Sequence, residues 1–185
     1  MKTSSRFYWL AVIIVSFTFA VTGQTPTDVN GWQEARWGMT ETELVDAFKS
    51  RVTKLDKPRE LVDNKGYANY AIKDYEIEGN KFTVYFDMDM QTKKLMRVRM
   101  SLNDDTSLIP KDTLYFSPYD ELLTRKYGTA TFKNDDRKPK MITLKRQWAF
   151  KTTTVELTYV WASMGNFNWL RIEYYPSKSG DVEKI

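Results

Sequence analysis

Apolar residues change their spacing along this chain, and each change marks a switch of element. From Thr40 to Leu55 the apolar positions Leu44, Phe48, Val52 and Leu55 recur at helical spacing with charges between them, and Pro58 then stops the pattern. From Tyr67 the period becomes two, in YANYAIKDYEI, NKFTVYFDMDM and KLMRVRMSL. In the second of these Phe82, Val84, Phe86 and Met88 share one face, while Thr83, Tyr85, Asp87 and Asp89 share the other. Gly79-Asn80 and QTKK supply the turns, so the spacing predicts a three-stranded meander.

The pattern then restarts. NDDTSLIPKD has adjacent acids, a proline and no period, which predicts a linker over 104–113. FSPYDELLTRKYG predicts a second helix, with Ser117 as N-cap, Pro118 at N1, Tyr119, Leu122 and Leu123 as the apolar stripe, and Gly128 as the stop. TATFKNDDRKPK reads as a loop. MITLKRQWAF, TTVELTYVWAS and NWLRIEYYP predict three more strands, with Val155, Leu157, Tyr159 and Trp161 on one face and a turn at Gly165-Asn166.

The fold expected from this order is α+β: two α-βββ units, 32–103 and 114–177, with both helices packed on one face of antiparallel sheet. KFTVYF aligns in polarity with TVELTY, and LMRVRM with WLRIEY, at an offset of about 73 residues. An internal repeat and two ordinary meanders both produce that agreement.

Ahead of these units, Lys2 and Arg6 precede an apolar run from Phe7 to Val21 broken only by Ser16 and Thr18. That is the layout of a signal peptide, placed at 1–23 with cleavage near Gln24; the alternative is an uncleaved anchor. The run is shorter than the roughly 20 residues that a membrane-spanning helix needs. A polar leader over 24–31 and a polar tail over 178–185 flank the units. No second apolar run of that length follows, so the mature chain is expected to be exported, periplasmic or secreted, and soluble.

Composition narrows the chemistry. The 185 residues include no histidine and no cysteine, which removes Ser-His-Asp and Cys-His catalysis, the usual zinc, copper and haem ligand sets, disulfides, and a lipid-bearing cysteine. The formal charge is +4, two units of which belong to Lys2 and Arg6. The remaining Lys and Arg are spread among Asp and Glu, so no nucleic-acid partner is expected. Asp87 and Asp89 open like a calcium loop, but Thr92 stands where the turn glycine belongs and Val98 where the bidentate glutamate belongs. Those two aspartates are instead expected on the wet face of a strand. No metal, cofactor or phosphate loop is expected, and no catalytic residue is assigned.

Aromatic residues are the surplus, at 15% with six tryptophans. Phe82, Phe86, Tyr159, Trp161 and Tyr174 fall on the apolar parity of their strands. Tyr85, Trp169 and Tyr175 take the opposite parity, beside Arg97, Arg99 and Arg171. If the meanders join edge to edge, these six residues lie on the sheet face away from the helices. Tyr, Trp and Arg are the types that anchor protein interfaces. The bland alternatives are that they merely cover an open face, or that Trp169 sits at a bulge and points inward.

The segment RWGMTETEL has its own structural logic. Thr40 is the N-cap of the first helix, Glu43 closes a capping box, and Met39 and Leu44 occupy the two ends of a hydrophobic staple. Gly38 lets the chain turn into the helix and Trp37 buries as it arrives. WGMTETELV also resembles the Gly-Met-Thr signature that opens the first helix of the BamE/SmpA-like small envelope proteins and of the tandem-repeat β-lactamase inhibitory proteins. FSPYDELL lacks that signature, and this chain has no cysteine for the lipid or the disulfides those families carry. The resemblance therefore implies a class only: a small exported, non-enzymatic binding module that docks another protein, an envelope component or exported enzyme, on its open sheet face. The alternative is a small-ligand carrier, or an enzyme using carboxylate or tyrosine, with a pocket between helix and sheet.

Overall fold

Two short helices and eight strands follow one another in the computed structural model, which describes residues 28–61, 65–102, 115–163 and 167–178. Helix α1 spans Glu41–Phe48, followed by a 3-10 turn at Lys49–Arg51. Strands β1 (Thr53–Glu60), β2 (Gly66–Ile77), β3 (Asn80–Asp89) and β4 (Leu95–Leu102) come next. Helix α2 spans Ser117–Tyr127 and precedes β5 (Phe132–Lys138), β6 (Met141–Ala149), β7 (Thr153–Ala162) and β8 (Phe167–Pro176). The expected signal peptide, the linker, the Gly165-Asn166 turn and nearly all of the tail lie outside the described residues.

All eight strands form one antiparallel sheet in the order β1-β2-β3-β4-β8-β7-β6-β5. Its two meanders meet through their last strands, where Val98 pairs with Tyr174, Arg99 with Glu173, Met100 with Ile172 and Ser101 with Arg171. The fold is mainly β, which corrects the α+β expectation of two α-βββ units under a helical layer. The helices hold only 8 and 11 residues. Each meander has a fourth strand that the apolar pattern hid.

The reasons are local. Helical spacing ran on to Leu55, but the backbone leaves the helix at Lys49, which takes a φ of 54°, and β1 begins at Thr53. TKLDKPRE and FKNDDRK are almost wholly exposed, so no buried parity marks them as strands. They are the two edges of the sheet. Lysines, and Pro58 within the irregular register between Lys54 and Arg59, suit an edge that must not recruit another strand.

Helix α1 begins as expected. The Thr40 amide donates to the Glu43 carboxylate at 2.8 Å and the Glu43 amide donates to Thr40 Oγ1 at 3.3 Å. Leu44 is fully buried and Met39 packs half-buried against the core. Helix α2 differs, because its N-cap is Phe116, without a side-chain cap, and Ser117 is already helical.

An element that the periodicity missed is the strap over residues 28–37. The Gly31 amide and the Trp37 indole both donate to the buried hydroxyl of Thr153, at 3.1 and 2.9 Å, and the Thr152 amide donates to Asp28 at 3.1 Å. The start of the first half is thus tied to the β6–β7 turn of the second. Gly31 has a φ of 101°, and a Cβ there would stand 2.0 Å from the Ala35 carbonyl, so only glycine fits. The strap inserts Trp32, 5% exposed, between α1 and the sheet, stacked on Phe48 and close to Tyr75, Phe86 and Tyr174.

Replacing Trp32 by Ala is expected to lower the unfolding free energy by about 3–5 kcal/mol, measured by urea titration. Thr40→Ala, at the helix cap, should cost about 1 kcal/mol in the same assay. Equal, small losses for both would contradict the central position given to Trp32.

Candidate functional site

Directly paired residues of neighbouring strands point to the same side of a sheet, so the register fixes what its outer face displays. One row crosses six strands as Tyr85, Arg99, Glu173, Glu156, Gln147 and Phe132. The next row holds Thr83, Ser101, Arg171, Thr158, Lys145 and Asn134. On the other side of the first, Asp87 pairs with Arg97, and Tyr175 with Thr154. The opposite parity, including Phe86, Val98, Ile172 and Leu157, faces the core and is buried.

Asp87 anchors the first-half side of this face. Its carboxylate is fully buried and accepts from Arg99 Nε at 3.0 Å, Arg99 Nη2 at 2.8 Å and Arg97 Nε at 2.8 Å. Arg97 reaches on to Glu173 at 3.5 Å. The guanidinium groups of Arg99 and Arg59 lie over the Tyr85 ring, 4.7 and 4.5 Å from its centroid, and Arg59 donates to the Tyr85 hydroxyl. Burial works against the charge of Arg99, but the hydrogen bonds and the charge of Asp87 outweigh it and raise the pKa.

Across the seam, Glu156 accepts from Lys145 at 2.9 Å, Gln147 at 2.7 Å, Tyr175 at 2.9 Å and Thr158 at 2.9 Å. Burial pushes its pKa up, yet these partners hold it below the ordinary value. Glu173, directly opposite, goes the other way: burial and the charge of Glu156 push it up against the pull of Arg97. Arg171 stacks over the Trp169 ring at 4.4 Å. Burial lowers its pKa, as do Arg99, Arg59 and Arg97, while Glu173 resists.

The residues singled out in sequence therefore fall into three groups. Tyr85, Arg97 and Arg99 surround Asp87; Trp169 and Arg171 pair with each other; Tyr175 belongs to the Glu156 cluster. The expectation of a wet Asp87 is corrected: it is fully buried and bonded to two arginines. Asp89 instead accepts from the Gln91 and Thr92 amides at 3.1 and 2.7 Å and fixes the turn after β3. Arg59 went unnoticed because β1 shows no period, and Glu156 and Glu173 because a lone glutamate in a strand looks like solvent decoration. Parity with Tyr85 and Arg97 was the available signal for Asp87.

Two exposed apolar side chains, Phe132 and Met141, each 48% exposed, complete this face. Phe132 pairs with Gln147 and Met141 with Ala162, both of outward parity. On the opposite side of the sheet a pocket of about 310 Å³ is lined by Trp32, Tyr75, Ile77, Leu123 and Tyr174, together with Glu76, Glu78 and Lys126. Among the described residues, no three acidic side chains converge to hold a metal ion, and no helix is long and apolar enough to cross a membrane. No family model, curated protein or solved structure matches the chain.

Asp87→Asn leaves the buried Arg99 without its counter-charge and is expected to cost about 3–5 kcal/mol in urea titration. Asp87→Leu combined with Arg99→Met should cost markedly less, and equal losses would contradict the pairing. Glu173 supplies a pH signature. An acid whose pKa is raised on folding favours the folded state below its unfolded pKa, 4.5 for a glutamate, and that contribution is lost as pH rises through the folded value. Glu173→Gln should therefore stabilise the fold at neutral pH, with the gain disappearing on acidification below 4.5. A gain independent of pH would refute the assignment.

Proposed function

We propose that this protein is a small exported, non-enzymatic binding module and that another protein, an envelope component or exported enzyme, docks on the outer face of its sheet. The observation that carries the reading is the combination on one face of exposed Phe132 and Met141 with the arginine–aromatic cluster around Tyr85, Arg99, Trp169 and Arg171. Apolar and aromatic anchors ringed by hydrogen-bonded charge are what protein interfaces use. The resemblance of residues 37–45 to small exported binding modules is in keeping with this reading.

The pocket beneath α2 favours a second reading, a carrier of a small, largely apolar ligand. Native mass spectrometry of the purified chain separates the two, since a copurified small molecule supports the carrier.

The docking reading is tested by capture from an envelope extract on immobilised mature chain. Phe132→Asp with Met141→Asp should lose the partner that the unaltered chain retains, whereas Glu121→Gln, on the exposed side of α2, should keep it. Both positions are too exposed for these changes to unfold the sheet. Undiminished capture by the double variant would overturn the proposed surface.

A further inference from the structure

Four arginines meet near the β4–β8 seam, and three have acceptors. Arg97 and Arg99 share Asp87, and Arg59 donates to Tyr85. Arg171 is different. It lies over the Trp169 ring, and among the described residues it forms no hydrogen bond or ion pair. A guanidinium carries five N–H donors in a rigid fork, and stacking on an aromatic ring holds its plane while leaving those donors unused.

The local balance is also unsettled. Arg59, Arg97, Arg99 and Arg171 face Asp87 and Glu173, four positive groups against two negative, while Lys145 neutralises Glu156. Directly opposite Arg171 in the register is Ser101, whose buried hydroxyl has no hydrogen-bond partner among the described residues. A half-buried cation that feels the charge of Glu173 but has no hydrogen-bonded anion among the described residues, in the field of three other arginines and beside an unsatisfied hydroxyl, has donors free for a negatively charged acceptor.

We propose that Arg171, seated over the Trp169 ring, is the receptor for one carboxylate, the side chain of an Asp or Glu on the docked partner protein. This rests on the docking reading above and names the group that is recognised. The fork of Arg171 matches a carboxylate bidentately. A run of phosphates fits poorly, because the next outward row along β8 and β7, two residues or about 6.7 Å away, is Glu173 and Glu156. Trp169, Phe132 and Met141 likewise supply apolar contact that a protein loop uses and a polyphosphate does not.

The test is an NMR titration of the mature chain with N-acetylglutamate N-methylamide, following the Arg171 side-chain Nε–H and the Trp169 indole N–H. N-acetylglutamine N-methylamide, inorganic phosphate and chloride at matched ionic strength are the comparison arms. The glutamate compound should shift both signals saturably and bind about tenfold more tightly than phosphate, with no response to the glutamine compound. Arg171→Gln should abolish the Trp169 response, while Lys151→Gln, at an exposed position, should retain it.

Absence of a saturable shift, or a phosphate affinity equal to that of the carboxylate, overturns the proposal. Phe132→Asp with Met141→Asp separates the two readings. If partner capture depends on those positions but the titration fails, the docking face stands and the carboxylate receptor falls. If the titration succeeds while capture ignores the face, the reverse holds.

Discussion

The pairing of β4 with β8 is the constraint on which the other features rest. Each meander ends in a strand whose outer edge, left alone, would present unsatisfied amides and carbonyls. Joining the two final strands satisfies both edges at once. It also places Val98 and Met100 beside Tyr174 and Ile172 on one side, and Arg99 and Ser101 beside Glu173 and Arg171 on the other. One core and one outer face result, each drawn from both halves. The free edges are then β1 and β5, the most charged strands of the sheet, and the strap that carries Trp32 fastens the halves a second time through Thr152 and Thr153.

The outer face is expensive to build for stability alone. A fully buried carboxylate with two arginines gains little over apolar side chains of similar volume, since desolvation cancels most of the attraction. Asp87 nevertheless orients Arg97 and Arg99, and Arg99 with Arg59 fixes the Tyr85 ring. Glu156 does similar work for Lys145, Gln147 and Tyr175. These side chains are held within the fold itself, which under the proposed docking role reduces the rotamer entropy lost on binding. The proposed docking role accounts for preorganised polar groups on the same face as exposed Phe132 and Met141.

Legibility in the sequence followed burial. Strands β3, β4, β7 and β8 alternate apolar and polar residues because one side faces the core, so their parity placed Tyr85, Arg97, Arg99, Trp169, Arg171 and Tyr175 on the outer side. Strands β1 and β5 are exposed along both faces and carry no such record. Their absence from the sequence reading left a helix that appeared too long and a fold that appeared α+β. Arg59 was lost with β1. Trp32 escaped for another reason: its position comes from Gly31 and from hydrogen bonds to Thr153, more than a hundred residues away, which no local period encodes. Asp87 showed the right parity, but its burial depends on arginines of the neighbouring strand.

Amide hydrogen exchange resolved by residue tests the central claim most directly, because the continuous face exists only if β4 and β8 are joined in solution. The amides that link Val98–Ser101 to Arg171–Tyr174 should exchange as slowly as those of β3 and β7, near the limit set by global unfolding, with β1 and β5 faster. Exchange at the β4–β8 seam as fast as at the two edges would mean that the halves are separate meanders, and the continuous outer face would be lost with it.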